Sequence, residues 1–207
     1  PRRGEVSFRG ERLNGLRPDQ VLARGIAFVP QERALFPKMT VRENLRMGGF
    51  LLRDARELDR RVDAVMDRFP ILRERASQHA GTMSGGQQQT LSMARTLILR
   101  PQVVMLDEPS LGLAPKVVEE IFGIIARINR ERGVAMLLVE QNAMAAFGIA
   151  HYGYIMENGR VVIDGPTERL VNDPDVQRFY LGYGDHSAEV ASFRDVKHYK
   201  RRKRWLS

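Results

Sequence analysis

Three stretches of this chain carry residues whose type and spacing suit phosphate chemistry. Ser84-Gly85-Gly86-Gln87 sets a capping serine, two residues without side chains and a glutamine at the start of a helical pattern. The free N–H groups and positive dipole end of such a helix form a socket for an anion, and the glycines let a ligand approach the main chain. Standing alone, the tetrapeptide reads sooner as an ordinary capping box with a flexible turn. Asp107-Glu108 closes the apolar run Val103–Leu106, at what would be the carboxyl edge of an open α/β sheet, where ligands bind. Adjacent carboxylates there can divide labour, Asp107 holding Mg²⁺ directly or through water and Glu108 polarising a water for attack on a γ-phosphate. Alone, such a pair is more often a solvated turn. Gln31 ends another short apolar run and could add an oxygen to the Mg²⁺ or water shell, though an isolated glutamine carries almost no information.

The elements that must position these residues follow from periodicity. Residues 5 to 30 read as strands around polar turns: Glu5–Phe8, with nothing ahead of it to pair with, a turn at Gly10, then Gly25–Val29 ending at Pro30-Gln31. Thr40 caps a helix with Glu43 three residues on, and Glu57–Phe69 sets Val62, Val65, Met66 and Phe69 on one face, so about 38–98 reads as a helical subdomain. Within it a helix runs from Gly85 to Leu99 with Leu91, Ala94, Leu97 and Ile98 inward, stopped before Pro101. Val103–Leu106 suits a central parallel strand covered on both faces. The amphipathic helix Val117–Arg132 ends at Gly133 and leads to a second buried strand, Val134–Val139, which makes a right-handed crossover. Tyr154–Met156, Asn158-Gly159 and Arg160–Ile163 spell a hairpin, because Asn-Gly accepts the positive φ angles of a type I′ turn. Short helices at Pro166–Val171 and Pro174–Leu181 close the domain.

Composition narrows the chemistry. With 207 residues, 43% hydrophobic and 28% charged, the chain can bury a real core. No apolar run approaches the roughly 20 residues of a membrane span, which reads as a soluble or peripheral chain. Cysteine is absent and His79, His151, His186 and His198 are scattered, so a transition-metal enzyme is not expected. Much of the net charge of +8 sits in Lys197, Lys200, Arg201, Arg202, Lys203 and Arg204. Residues 183–207 read as a disordered, solvated basic tail, with contact to anionic lipid as the alternative.

Taken in order, these residues resemble the nucleotide-binding subunit of ABC transporters over about residues 4–182. Val29-Pro30-Gln31 looks like the Q-loop, Met83 to Gln89 like the family signature, Val103–Glu108 like Walker B, and Ser110–Ala114 like the D-loop. Thr40-Val41-Arg42-Glu43-Asn44-Leu45, Leu111-Gly112-Leu113-Ala114-Pro115, Val139-Glu140-Gln141-Asn142 and Tyr180-Leu181-Gly182 look most like the branched-chain amino acid importer ATPases, with urea and short-amide importer ATPases close. The resemblance implies a P-loop NTPase-like α/β core with an inserted helical subdomain, in one ABC ATPase domain over 1–182. It implies ATP with Mg²⁺, bound through Gln31, Ser84, Gly85, Gly86 and Gln87, with Asp107 and Gln31 at the metal and Glu108 and Gln141 catalytic. It also implies a head-to-tail dimer with a second ABC ATPase subunit, a transmembrane permease docked in a groove near Gln31, Phe36 and Met39, and an external substrate-binding protein. The expected place is the cytoplasmic face of the inner membrane.

The chain departs from the pattern in three ways. Gln141 stands where most of the family carries a switch histidine, and Ala114 where the D-loop usually has aspartate; both changes follow the branched-chain importer branch. Gln141 can donate and accept a hydrogen bond but carries no charge, so its contribution does not titrate near neutral pH. No Gly-x-x-x-x-Gly-Lys-Ser/Thr occurs, so the phosphate cradle is missing, and truncation ahead of Pro1 is expected sooner than degeneration because the downstream motifs are intact. The chain by itself is therefore expected not to turn over ATP. A non-transport ABC ATPase acting on nucleic acid has only the basic tail, with Tyr199 and Trp205, in its favour, and nucleic acid is not expected as a partner. A non-catalytic interaction module is the third reading.

Overall fold

Short apolar runs followed by amphipathic helices fold here around a parallel sheet, in a computed structural model that describes residues 3–180. The contacts divide the chain into two units, with the boundary between Gln141 and Asn142. The first unit opens with a hairpin, β1 (Ser7–Phe8) and β2 (Glu11–Arg12), turning through Arg9 and Gly10 at positive φ. The strand expected at Glu5–Phe8 thus finds its partner downstream, in β2. The stretch to residue 30 is not all strand: α1 (Pro18–Ala23) starts on Pro18, and the Gln20 side chain accepts from the Arg17 N–H at 2.9 Å. Six residues are too few to show a helical period, and proline at the first position was its only sequence mark.

The sheet is β3 (Ile26–Val29), β4 (Val103–Asp107) and β5 (Ala135–Val139), parallel, with β4 central. Its register sets Val29 beside Leu106, Leu106 beside Leu138 and Asp107 beside Val139, so the three strands end at one edge. Between β3 and β4 lie α2 (Val41–Met47), α3 (Ala55–Arg68), α4 (Pro70–Glu74) and α5 (Gly85–Thr96). α2 begins with the expected box, the Thr40 hydroxyl accepting from the Glu43 N–H at 3.2 Å and the Glu43 carboxylate from the Thr40 N–H at 2.7 Å. On α3, Val62, Val65 and Met66 are buried, as is Phe69 at its end. Asn44 is wholly buried on α2 and knits the turn before it, accepting from the Phe36 N–H at 2.9 Å and donating to the carbonyls of Phe36, Met39 and Thr40. After α5 the chain tightens into a 3₁₀ turn, Leu97–Leu99, which leaves Leu97 half-buried while Leu91, Ala94 and Ile98 are buried. α6 (Pro115–Arg132) carries the chain from β4 to β5, ending on Gly133 in the left-handed conformation.

One sheet face is core: Ala27, Val29, Val104 and Leu106 are buried, α5 packing on β3 and α6 on β5. The other face is open among the described residues, with Phe28 52%, Leu137 52% and Val139 53% exposed. This corrects the reading of β4 and β5 as strands buried on both sides. Their apolar runs are what a parallel strand covered twice would carry, but the helices of this unit cover one face only.

The second unit holds α7 (Ala143–Phe147), the antiparallel pair β6 (Tyr152–Glu157) and β7 (Arg160–Pro166), α8 (Thr167–Val171) and α9 (Pro174–Tyr180). Asn158 and Gly159 take positive φ at the hairpin, as Asn-Gly predicts. Ile155, Ile163, Leu170 and Val176 form its buried core. Leu181, Gly182 and the basic tail with Tyr199 and Trp205 lie outside the described residues.

Candidate functional site

β4 delivers Asp107 to the sheet's carboxyl edge, and the chain then turns sharply at Glu108, whose φ of +44° is uncommon for any residue but glycine. Two supports hold that turn. The Glu108 N–H donates to the Val139 carbonyl at 2.9 Å, and Glu140 accepts from both the N–H and the hydroxyl of Ser110, each at 2.9 Å. Strain of this kind, of order 1–3 kcal/mol, persists only where surrounding contacts impose it, and it gathers at functional sites.

The side chain of Glu108 is held from two directions. Gln141, just past β5, donates its amide to Glu108 Oε1 at 2.8 Å, and Gln31, two residues past β3, donates to Oε2 at 3.4 Å. Residues 31, 108 and 141 are thus gathered by the aligned ends of three neighbouring strands. Asp107 is half-buried beside them on β4, in register with Val139. Gln31, Asp107, Glu108 and Gln141, the candidates named from the sequence, come together at this edge, whereas Glu140 and Ser110 appear in the sequence only within family-like phrases, without a role. The available signal was Glu140's position, a carboxylate one residue past a strand, like Glu108.

Ser84 and Gln87 sit at the other candidate locus. The Ser84 hydroxyl accepts from the Gln87 N–H at 3.4 Å and the Gln87 side chain from the Ser84 N–H at 3.1 Å, which closes the capping box at the start of α5. The glycines differ in what they face. A Cβ on Gly86 would meet Val117 Cγ1 at 2.4 Å, so a side chain there is crowded by α6; one on Gly85 would come no nearer than 3.3 Å, to the end of the Arg33 side chain. Among the described residues no hydrogen bond joins 84–87 to Gln31, Asp107, Glu108 or Gln141. The structure therefore presents two loci on one unit.

α5 also grips the loop after Gln31. Arg33 and Ala34 both take positive φ; Ser92 donates its hydroxyl to the Arg33 carbonyl at 2.7 Å and Arg95 a guanidinium N–H to the Ala34 carbonyl at 2.8 Å. Burial draws the Arg95 guanidinium below its ordinary value. A cavity beside this loop is lined by Gln31, Arg33, Leu35, Pro37 and Gln88; Phe36 is exposed, and the Met39 carbonyl is taken up by the Asn44 amide.

A parallel α/β sheet with a carboxylate and two amides at its carboxyl edge is the ligand-binding architecture of open α/β domains. The ABC transporter family pattern matches residues 1–111. The chain is 45% identical over 179 residues to the high-affinity branched-chain amino acid transport ATP-binding protein BraG of Pseudomonas aeruginosa, covering 86% of this chain and 76% of that one. It is 36% identical to the probable branched-chain amino acid transport ATP-binding protein LivF of Archaeoglobus fulgidus, over 88% and 77% of the two chains. Its fold matches the ATP-binding cassette MJ0796, solved as a dimer in a post-hydrolysis state with ADP and Pi, at TM-score 0.68 and 26% identity over 80% and 74%. This chain belongs to the ABC transporter ATP-binding family. It is the nucleotide-binding, ATP-hydrolysing kind of subunit that drives transport. None of its described helices is long and apolar enough to cross a membrane.

Proposed function

We propose that this chain powers uptake of branched-chain amino acids as the ATPase subunit of an ABC importer, with Glu108 as the base that activates water. The carboxylate of Glu108, held on a strained turn between Gln31 and Gln141, carries the catalytic part of this reading; the relatives BraG and LivF support the cargo. Water attacks the γ-phosphate in line with the leaving oxygen, Glu108 accepts its proton, and Gln141 fixes the carboxylate from the side. Gln141 is neutral, so the orientation it gives does not vary with pH near neutrality.

Mg²⁺ suits the donors present. No group of three or more His, Asp or Glu that could cage a metal occurs among the described residues, and Mg²⁺ is typically held by one or two carboxylates together with substrate phosphates and waters. Asp107 and the side-chain oxygen of Gln31 are the hard ligands that would hold it. When bound it would neutralise charge on the phosphates.

Residues 1–207 contain no P-loop motif. Gly85 and Gly86 offer backbone N–H groups, with the Ser84 hydroxyl and the Gln87 side chain closing the cap beside them, to the ATP of a second ABC ATPase subunit. Transmembrane permease subunits would dock at the cavity beside residues 31–37, on the cytoplasmic face of the inner membrane, with an external substrate-binding protein acting through them.

The test is the full-length protein reconstituted with its permease and binding protein in proteoliposomes. Mg-ATP-dependent uptake of leucine, isoleucine or valine is expected. Uptake of urea or short amides instead would move the cargo to that neighbouring branch, and absence of any ATP hydrolysis would overturn the assignment.

A further inference from the structure

At the opposite end of β4 from Glu108, a cavity of about 520 Å³ opens where β4 and β5 begin. Its floor is apolar, built by Phe8, Phe69, Leu97, Ile128 and Val134. Arg9, Arg68, Arg100, Arg127 and Arg132 stand around it, and Glu131 is its only acidic lining residue among those described. Glu131 pairs with Arg68 at 3.2 Å; the other four arginines make no ion pair among the described residues.

These guanidinium groups come from four separate segments: the β1–β2 turn, the end of α3, the turn before β4, and α6. Two are steadied by rings, Arg127 over Phe69 at 5.9 Å and Arg9 over Phe8 at 5.8 Å, and Arg127 also donates to the Arg68 carbonyl at 3.3 Å. Ring stacking holds a guanidinium by its face and leaves its N–H fork free for an anion. The cluster also repels itself. Burial and then the charges of Arg68 and Arg100 draw Arg132 below its ordinary value, against the opposing charge of Glu131. Like charges gathered round an apolar floor are electrostatically unfavourable unless an anion joins them, and a volume of this size falls within the range of small-molecule sites.

We propose that this cavity is a ligand site separate from the nucleotide site, and that it takes a phosphate monoester carrying an apolar body. The phosphate lies among the arginine forks, whose planar geometry matches it bidentately. The apolar body covers the floor, and the bound anion ties the end of α3 to α6. The inference does not rest on the transport cargo or on the role of Glu108.

The probe is dihexanoyl phosphatidic acid below its aggregation limit, titrated calorimetrically into the full-length protein, with inorganic phosphate, glycerol 3-phosphate and dihexanoyl phosphatidylcholine as comparisons. Phosphatidic acid is expected to bind at least about tenfold tighter than each of the three, because only it joins the monoester to an apolar body. The double variant Arg68→Gln/Arg132→Gln is expected to lose about tenfold or more in that affinity, while KM for ATP stays unchanged and the ligand-free melting temperature changes little, relieved repulsion offsetting loss of the exposed Arg68–Glu131 pair. Should the double variant fold poorly, Arg100→Gln alone is expected to weaken binding at an unchanged melting temperature. Co-sedimentation with vesicles containing dioleoyl phosphatidic acid, lost in the double variant, would assign the monoester to a lipid headgroup; binding of the soluble probe without vesicle binding would assign it to a soluble phosphate monoester with an apolar body. Equal affinity for inorganic phosphate, or affinity indifferent to the arginine substitutions, would overturn the proposal.

Discussion

The carboxylate of Glu140 spans Ser110, taking one hydrogen bond from its backbone N–H and one from its hydroxyl, both at 2.9 Å. Ser110 is two residues beyond Glu108 and Glu140 is one before Gln141, so this clasp fixes the spacing between the two residues that meet at 2.8 Å. Replacing Glu140 with Gln leaves one acceptor oxygen where there were two and removes the charge from those bonds. We expect kcat for ATP in the assembled transporter to fall about tenfold with little change in KM, because hydrogen bonds involving a charged group contribute about 1.5–3 kcal/mol. Ser110→Ala should give a smaller loss of the same kind. An effect on KM alone would remove the positioning role.

Glu108→Gln should lower turnover by about 10²–10⁴-fold, the usual contribution of a general base, while ATP binding persists. Phosphate release and nucleotide binding, measured on the same preparation, separate the two. Residues 1–207 alone should show no turnover for Glu108→Gln to abolish. At the neighbouring position, Gln141→His should introduce a dependence of rate on pH between about 5 and 8 that the natural residue lacks, since imidazole titrates there.

Gly86 faces Val117 so closely that Gly86→Ala has to shift the Val117 side chain or the helix that carries it. Overpacking of this kind costs about 1–3 kcal/mol, measurable by urea denaturation. Val117→Ala should restore most of it. If the double variant were no more stable than Gly86→Ala, the contact would not be the reason for glycine at this position.

The Thr40 backbone N–H, then its hydroxyl, hold the Glu43 carboxyl below its ordinary value of 4.5. A depressed folded value means the unfolded chain binds the proton first as pH falls. The stability this box contributes is therefore present above about pH 4.5 and is lost as pH falls through the lowered folded value. Acid unfolding followed by circular dichroism should show a shallower acid limb for Glu43→Gln than for the natural protein.

Much of the fold, and the candidates for the site, were legible in the sequence because their signals are local. Thr40 with Glu43, Ser84 with Gln87, and Asn158 with Gly159 each act within one turn of chain, and each forms as their types require. Val103–Leu106 ending in Asp107-Glu108 announces a strand and its polar edge in six residues. α1 escaped notice because it is too short to display a period.

What the sequence determined by itself was which residues stand at strand ends and helix starts, and hence the family. Tertiary structure alone decided the rest: that Glu108 takes positive φ under the hold of Glu140 on Ser110, that Val117 crowds Gly86, that one sheet face is open among the described residues, and that arginines from residues 9, 68, 100, 127 and 132 converge. Those relations join residues tens of positions apart. Sheet register and helix packing set such distances, and no pattern within a single turn of chain encodes them.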